Sequence, residues 1–175
     1  MTVLVDHDPG WSAEFARAAQ HLLSAADRTW TVEHIGSTSV PGLMAKPIID
    51  LAVRVGSVAE VDDMRAQLSR AGWLAVRRQP VDHRVLVREA NEVRTHIAHF
   101  FTAQQWETCH QRLFRDWLRA HPEDQRVYLE AKRRASGEIG GAYTRIKAPV
   151  VLEIVNRARE AQGLPPLADL DSGSA

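Results

Sequence analysis

The most constraining feature of the chain is a nearly continuous apolar run over residues 47–55, with one carboxylate, Asp50, near its centre. A run of this length that is rich in β-branched residues is typical of a strand buried on both faces. Residues 31–35 have the pattern of a second strand, and a turn of small residues, 36–39, follows it directly. We therefore predict a buried sheet in which consecutive strands supply a polar turn and a carboxylate.

This turn, Gly36-Ser37-Thr38-Ser39, has the composition of a phosphate site. Glycine and small hydroxyl residues leave backbone N–H groups open to phosphate oxygens. The turn also follows the carboxyl end of a strand, where open α/β sheets bind ligands. An ionised Asp50 would be costly in an apolar strand unless it were paired or bound to a cation such as Mg²⁺, and Lys46 could neutralise a phosphate. The alternative is a Ser/Gly loop, an aspartate paired with an arginine and a solvated lysine.

Hydrophobic periodicity divides the chain into an α/β half, residues 1–101, and a helical half, residues 102–162. The first half is predicted to contain a helix ending near Ala26, strands at 31–35 and 47–55, a helix from the Ser57 cap to Gly72, a short strand at 73–77 and a hairpin of strands 84–89 and 93–101. The second half is predicted to contain helices over 104–120, from Pro122 to about 136, and over 143–161 with an interruption near Pro149. No Gly/Ser linker separates the halves, so we expect one structural unit of α/β (α+β) class, a small mixed sheet packed against a C-terminal helical bundle. Residues 163–175 are predicted to be a loose tail.

Composition narrows the classes of partner. The 22 basic and 22 acidic residues offset each other, which gives no general attraction to nucleic acid or to an anionic membrane. The single cysteine, Cys109, excludes an intrachain disulfide and a cysteine-based zinc site. No apolar run approaches the roughly 20 residues of a membrane span. We expect a cytoplasmic protein whose oligomeric state the sequence does not determine.

Three motifs carry a resemblance to a known family. They are HIGSTSVPGLMAKPIIDL at residues 34–51, LFRDWLRAHPEDQRVYLEAKRRA at 113–135 and YTRIKAPVV at 143–151. These motifs resemble the GrpB (UPF0157) family, which is also found fused to some dephospho-CoA kinases. The resemblance covers residues 8–158 and implies a nucleotidyltransferase-like fold that acts on or binds a nucleotide or another phosphorylated small molecule.

The nucleotidyltransferase pattern is only partly present. Ile35-Gly36-Ser37 and Asp50 fit it, but Ala52 stands where the second metal-binding acid is expected. Alternate strand residues share a face, so two acids at these positions would share metal ions. The third acid would lie on the strand over 93–101, which offers His96 and His99 instead. These two histidines are three residues apart and are predicted to face opposite sides.

The resemblance implies a role for each matching residue. Gly36, Ser37 and Thr38 would hold phosphate, Asp50 would hold Mg²⁺, and Asp50 and His99 would be the catalytic candidates. The further candidates for substrate or phosphate binding within the three motifs are Lys46, Arg115, His121, Lys132, Tyr143 and Lys147, and Asp116 lies beside Arg115 in the second motif. Arg84 is a candidate for a different reason, because it belongs to a basic group around the predicted hairpin that could meet the phosphates of a ligand.

Several alternatives stay open for these residues. His99 could be a hydrogen-bonded core residue, and the arginines could belong to solvated helix faces. At the level of function, the same pocket could bind a ligand without catalysis, the domain could assist folding of a partner, or group transfer could proceed without metal through His99 or Asp50.

Overall fold

Five strands form one mixed sheet that carries helices on both of its faces, so the predicted α/β class is confirmed. The computed structural model describes residues 3–80, 82–138 and 141–170. The elements are α1 (Trp11–Ala25), β1 (Thr31–Ile35), β2 (Ile49–Val55), α2 (Val58–Asp63), α3 (Arg65–Arg70), β3 (Leu74–Ala75), β4 (Arg84–Ala90), β5 (Val93–Thr102), α4 (Ala103–Trp106), α5 (His110–Ala120), α6 (Pro122–Ala135) and α7 (Gly141–Ala161). Within the described residues, no helix is long and apolar enough to cross a membrane.

The strand order β1-β2-β5-β4-β3 places β2 at the second position of the sheet. It pairs antiparallel with β1 and parallel with β5, in a register that sets Asp50 beside Ile97 and Ala52 beside His99. Since side chains alternate along a strand, Asp50 and Ala52 share one face of the sheet.

Both faces of β2 are covered, as the apolar run predicts. Leu51 and Val53 point into a core that also contains Leu22 of α1 and Trp73. On the opposite face, Ala52 packs with Ile35, Phe101, Trp106 and Cys109 beneath the helical half. The carboxylate of Asp50 is therefore directed toward the helices that follow the sheet.

The continuity of three helices differs from the sequence predictions. The helix predicted over 57–72 is split into α2 and α3 at Met64, whose ψ of 2° leaves the helical range. The helix predicted over 104–120 is split because Cys109 is extended and starts α5 anew. Conversely, α7 runs through Pro149 without interruption. The carbonyl of Arg145, which loses its usual donor there, belongs to an exposed residue and can be solvated.

Other local predictions are confirmed. Ser57 caps α2 by accepting a hydrogen bond from the Glu60 N–H, and Pro122 begins α6. The predicted hairpin joins β4 and β5 through Asn91 and Glu92, with φ of 51° and 64°. Two positive φ angles in a two-residue turn match the right-handed twist of the flanking strands.

Part of the predicted loose tail is packed on the helical half. Asn156 of α7 bonds to the backbone of Leu167 in both directions, and Arg159 donates to the carbonyl of Pro165. Leu167 and Leu170 lie against the hydrophobic cluster between α5, α6 and α7. Residues 171–175 lie outside the described residues.

Arginines of α5 attach the helical half to β1. Arg112 donates to both carboxylate oxygens of Glu33, at 3.0 and 3.1 Å, and Arg115 donates to Glu33 at 2.7 Å and to the carbonyl of His34 at 3.1 Å. One turn further, Arg119 donates twice to the carbonyl of Ser39. Burial raises the pKa of Glu33, but the two guanidinium groups lower it on balance.

Replacing Glu33 by glutamine is expected to lower the free energy of unfolding by about 2 kcal/mol. The amide keeps one acceptor, but Arg115, which is only 6% exposed, loses the charge of its partner at 2.7 Å and keeps only the exposed carboxylate of Asp116. Urea unfolding would measure the change. The matched control is Glu130→Gln, which breaks an exposed pair with Arg134 and should change stability by less than about 0.5 kcal/mol. Equal effects of the two substitutions would contradict this role of Glu33.

Candidate functional site

The turn after β1 is built around Gly36. Its φ of 71° and ψ of −175° lie in a region that is open essentially to glycine alone. A Cβ atom at this position would come within 2.1 Å of Asp50 Oδ2. The glycine therefore allows the turn to lie directly against the carboxylate of β2.

The hydroxyl groups of the turn have different partners. Thr38 is buried, donates to the carbonyl of Ile48 and bonds to His34 Nε2, so it ties the turn to the sheet. Ser39 donates to the carbonyl of Gly36 at 2.6 Å. Ser37 lies 3.3 Å from the hydroxyl of Tyr128 and faces the space between the sheet and the helices. Of these hydroxyls, Ser37 is the one placed for a ligand.

A cleft between the sheet and the helical half consists of two adjoining cavities. One, of 410 Å³, is here named the lysine cavity, and the other, of 220 Å³, the histidine cavity. Four residues line both of them, namely Ser37, Asp50, Thr144 and Lys147. The lysine cavity is further lined by Lys46, Ile48, Arg94, Ile97, Lys132, Gly141 and Tyr143. The histidine cavity is further lined by Ile35, Gly36, His99, His110, Gln111, Phe114, Tyr128, Ala148, Val151 and Leu170.

The chain contains three lysines among its 22 basic residues, and all three line the lysine cavity. Lys46 lies 3.6 Å from the centre of the Tyr143 ring, and Lys147 donates to the Tyr128 hydroxyl at 3.4 Å. Lys132 is 1% exposed and donates to the carbonyl of Met44. Ammonium groups, which present a compact charge with three donors, are thus concentrated at one place in a chain that otherwise uses arginine.

Burial and mutual repulsion change the titration of these groups. Burial and the neighbouring Lys147 lower the pKa of Lys132 to about 7. Burial also lowers the pKa of Lys46. Burial opposes the charged form of Lys147 too, but Tyr128 and Tyr143 raise the pKa of Lys147 on balance. Burial raises the pKa of Asp50 to about 7, although Lys147, Lys132 and Arg94 oppose that rise. Asp50 and Lys132 therefore both titrate near neutral pH.

The histidines of β5 face opposite sides of the sheet, as predicted. His99 lines the histidine cavity, and its Nδ1 lies 3.1 Å from His83 Nε2. Burial lowers the pKa of His99 to about 3, which makes it a neutral imidazole. His96 lies on the other face, beside Trp73 and Glu14.

Four predicted site residues do not line the cleft, namely Thr38, whose hydroxyl ties the turn to the sheet, and Arg84, Arg115 and His121. Arg84 donates twice to Asp62 of α2, on the other face of the sheet. Arg115 donates from Nε to Asp116 and from Nη1 to Glu33 and the carbonyl of His34. His121 stacks on Trp117 with ring centres 3.6 Å apart and bonds to its carbonyl. The sequence pattern marks such residues as charged or polar, but it does not show which intramolecular partners they find.

Sequence reasoning missed other residues that line the cleft, notably Tyr128, Thr144 and Arg94. Tyr128 and Thr144 lie inside the two C-terminal motifs, so the motifs carried a signal for them. Arg94 lies near the start of β5 and is exposed, and no pattern singles it out. The scarcity of lysine was a further signal. Lysine occurs only three times, so Lys46, Lys132 and Lys147 could have been considered as one group from the sequence alone.

The cleft does not fit the two-metal arrangement of nucleotidyltransferases. Among the described residues, no three His, Cys, Asp or Glu side chains are arranged to hold a metal ion. The positions beside Asp50 that would carry further acids hold Ala52 and His99, and Lys132 and Lys147 act electrostatically on the same carboxylate. Hard divalent cations prefer several oxygen ligands, whereas Asp50 offers one carboxylate.

Comparison with known proteins identifies the chain. A family model described as "GrpB protein" matches residues 2–157. The chain belongs to the GrpB family. A UPF0157 protein of Streptomyces coelicolor is 35% identical over 162 residues, covering 91% of this chain and 85% of that protein. The crystal structure of the conserved protein GrpB from Enterococcus faecalis aligns with a TM-score of 0.81 at 28% identity, covering 92% of this chain and 99% of that one.

The chain is also similar to parts of two longer proteins. A dephospho-CoA kinase of Mycolicibacterium paratuberculosis is 30% identical over 189 residues, which cover 89% of this chain and 45% of that longer protein. Terminal uridylyl transferase 4 from Trypanosoma brucei, solved with bound dUTP, aligns with a TM-score of 0.56 at 15% identity, covering 97% of this chain and 60% of that one. The nucleotidyltransferase-like fold is thereby confirmed for this member of the family.

Proposed function

We propose that the cleft binds a nucleotide or another phosphorylated small molecule, with the phosphates in the lysine cavity and the remainder of the ligand in the histidine cavity. The observation that carries this proposal is the convergence of all three lysines on a cavity that also holds Arg94 and the Ser37 and Thr144 hydroxyls. Phosphate oxygens are strong acceptors that ammonium and hydroxyl groups satisfy together.

The charge balance favours an anionic ligand. The lysine cavity is lined by Lys46, Lys132, Lys147 and Arg94, whereas Asp50 is the carboxylate among its described lining residues. Burial, together with Lys147 and Lys46, disfavours the charged form of Lys132 in the unliganded protein and lowers its pKa. A bound polyanion would relieve that repulsion, and it would raise the pKa of Lys132.

A second candidate function is group transfer without metal, with Asp50 as general base. One observation favours it: Asp50 has a pKa of about 7 and lines both cavities. A general base is most effective when its pKa lies near the working pH. Asp50 would then accept the proton of a hydroxyl held in the histidine cavity while its oxygen bonds to phosphorus. The phosphoanhydride bond of the ligand would break at the same phosphorus, and the lysines would offset the charge of the phosphate that leaves with the bonding electrons. The catalytic roles of Asp50 and His99 and the involvement of Mg²⁺ stay predictions.

Thermal unfolding with a ligand panel tests the proposal. The panel contains tripolyphosphate, the four ribonucleoside triphosphates, dephospho-CoA and adenosine, each with and without Mg²⁺. Dephospho-CoA is included because relatives that carry this domain are named dephospho-CoA kinases. A ligand present at about 100 times its Kd should raise the melting temperature by roughly 5–10 °C, and adenosine, which lacks phosphate, should not raise it.

A pair of variants separates cleft binding from surface binding. Lys147→Met is expected to weaken binding of the best phosphorylated ligand about 10- to 100-fold, because a charge-assisted contact is lost. Arg126→Met, which removes an exposed cation from α6, should leave it within about twofold. The proposal fails if no phosphorylated compound changes the melting temperature, or if both variants bind equally well.

A further inference from the structure

Three hydrogen-bonded side chains, His99, His83 and Asp82, form a series that leads away from the cleft. His83 Nε2 lies 3.1 Å from His99 Nδ1, and His83 Nδ1 lies 2.7 Å from Asp82 Oδ1. His83 is 6% exposed, so water does not compete for these contacts. The contacts of His99 with His83 and of His83 with Asp82 are separate from the nucleotidyltransferase metal motif, which would place a third acid on this strand.

The surroundings hold this series in place. Gln105 donates to the backbone carbonyl of Asp82 at 2.6 Å, and the same side chain accepts from the N–H of Thr102 in the capping box of α4. The rings of His83 and Phe101 pack with centres 4.8 Å apart. Asp82 and His83, which directly precede β4, are therefore fixed to the end of β5, and the imidazole of His83 lies against that of His99.

Hydrogen-bond valence determines where the protons lie along the series. An ionised carboxylate only accepts, so the proton of a neutral His83 lies on Nδ1, facing Asp82. His83 Nε2 is then an acceptor, which requires His99 to donate from Nδ1. A neutral imidazole carries one N–H, so His99 Nε2 is left with a lone pair. Burial keeps His99 neutral by holding its pKa at about 3.

We infer that Asp82 and His83 are positioning residues that fix the tautomer of His99, so that its Nε2 accepts a hydrogen bond from a hydroxyl or N–H group of the ligand. The inference rests on the proposed function, and it adds the class of ligand. A molecule suited to this site carries phosphate for the lysine cavity and, in its other part, a donor group within reach of the histidine cavity. Bare polyphosphate satisfies only the first requirement.

The tautomer can be measured on the protein without any ligand. In ¹⁵N-histidine-labelled protein, the His99 signals are assigned by comparison with His99→Gln, and two-bond couplings show which nitrogen carries the proton. We expect a protonated Nδ1 and an unprotonated Nε2 near pH 7.5. A protonated Nε2 would overturn the inference, because it would mean that His83 donates to His99. In His83→Phe, whose ring keeps the packing on Phe101 but accepts no hydrogen bond, the single tautomer should give way to a mixture, and an unchanged tautomer there would refute positioning by His83.

Calorimetric titration then tests recognition with two probes, inorganic tripolyphosphate and ATP, which adds hydroxyl and amino donors. His99→Phe is expected to lower ATP affinity about tenfold and to leave tripolyphosphate affinity within about twofold. If wild-type protein binds neither probe, the proposed function fails, whereas the tautomer is decided by its own spectrum. If both probes bind and His99→Phe affects them equally or not at all, the recognition role of His99 is overturned and the phosphate site stands.

Discussion

Replacing Gly36 by alanine is expected to lower the free energy of unfolding by about 4 kcal/mol, measured by urea denaturation. The backbone at this residue has φ of 71° and ψ of −175°, a conformation that costs a residue with a side chain about 1–3 kcal/mol. The new Cβ would also lie 2.1 Å from Asp50 Oδ2 and 2.8 Å from its Cγ. Relieving that overlap requires movement of a strand residue, and overpacking of this kind typically costs a further 1–3 kcal/mol.

Gly42→Ala is the matched control for the backbone effect. Gly42 also has a positive φ, 76°, but a Cβ there would meet no atom within 4 Å. It should therefore show the strain alone, on the order of 1 kcal/mol. The difference between the two variants measures the contact of the turn with Asp50. If both cost the same, the close approach of Gly36 to the carboxylate has no energetic consequence.

Replacing Asp50 by asparagine is expected to stabilise the protein by about 4 kcal/mol above pH 8. The folded-state pKa of Asp50 is raised to about 7 from an ordinary 3.8, so folding favours the neutral carboxyl. Between about pH 4 and 7 the folded protein binds more protons than the unfolded chain, and wild-type stability falls as pH rises through that window. Asparagine resembles the neutral form and escapes this loss, at about 1.36 kcal/mol per pKa unit.

The pH dependence makes this prediction specific. The advantage of Asp50→Asn should vanish near pH 4, where the wild-type carboxyl is protonated in the folded state and about half protonated in the unfolded chain. Asp62→Asn is the control of opposite sign, because its pairing with Arg84 lowers the pKa of Asp62. That substitution should slightly destabilise the protein at neutral pH, and most of the effect should remain at pH 4, because it is lost only as pH falls below the ordinary aspartate pKa of 3.8. Urea unfolding from pH 4 to 9 measures both variants, and a destabilised Asp50→Asn at pH 8 would contradict the raised pKa.

The parts of the fold with strong periodicity could be predicted from the sequence. The run over 47–55 identified the buried strand because its apolar residues are continuous, and the Asn91-Glu92 turn was flanked by two clear strand patterns. Helix continuity was harder to predict. The breaks at Met64 and Cys109 and the continuation through Pro149 depend on backbone angles that packing determines. Single residues in the sequence do not carry that information.

The centre of the candidate site could also be predicted, but its limits could not. Gly36, Asp50 and His99 were identified from the strand pattern and the family motif, and the structure brings them to one cleft. Arg115 belongs to the same motif, yet it is bound by Glu33 in the joint between α5 and β1. A motif marks residues that a family shares, whether they bind a ligand or hold two parts of the fold together. Only the positions of their partners separate the two roles.

The absence of a second acid at Ala52 changes what the nucleotidyltransferase-like fold of this chain would do. In its place are the neutral imidazole of His99 and a concentration of lysines around Asp50. The positive charge that balances a bound phosphate would then come from lysine ammonium groups of the protein and not from metal ions. Such a site is expected to bind phosphate without added metal, and the binding should depend on the protonation of Lys132.

The most direct test of this proposal uses the three lysines as reporters. Selective ¹³C-lysine labelling gives three Cε signals, and all three come from residues that line the lysine cavity. On titration with ATP in the absence of metal, we expect the three signals to shift along one binding curve. The pKa of Lys132, about 7 in the unliganded protein, should rise in the complex because a nearby anion favours the charged amine. Saturable ATP binding that leaves all three signals and the pKa of Lys132 unchanged would place the site elsewhere and contradict the proposal.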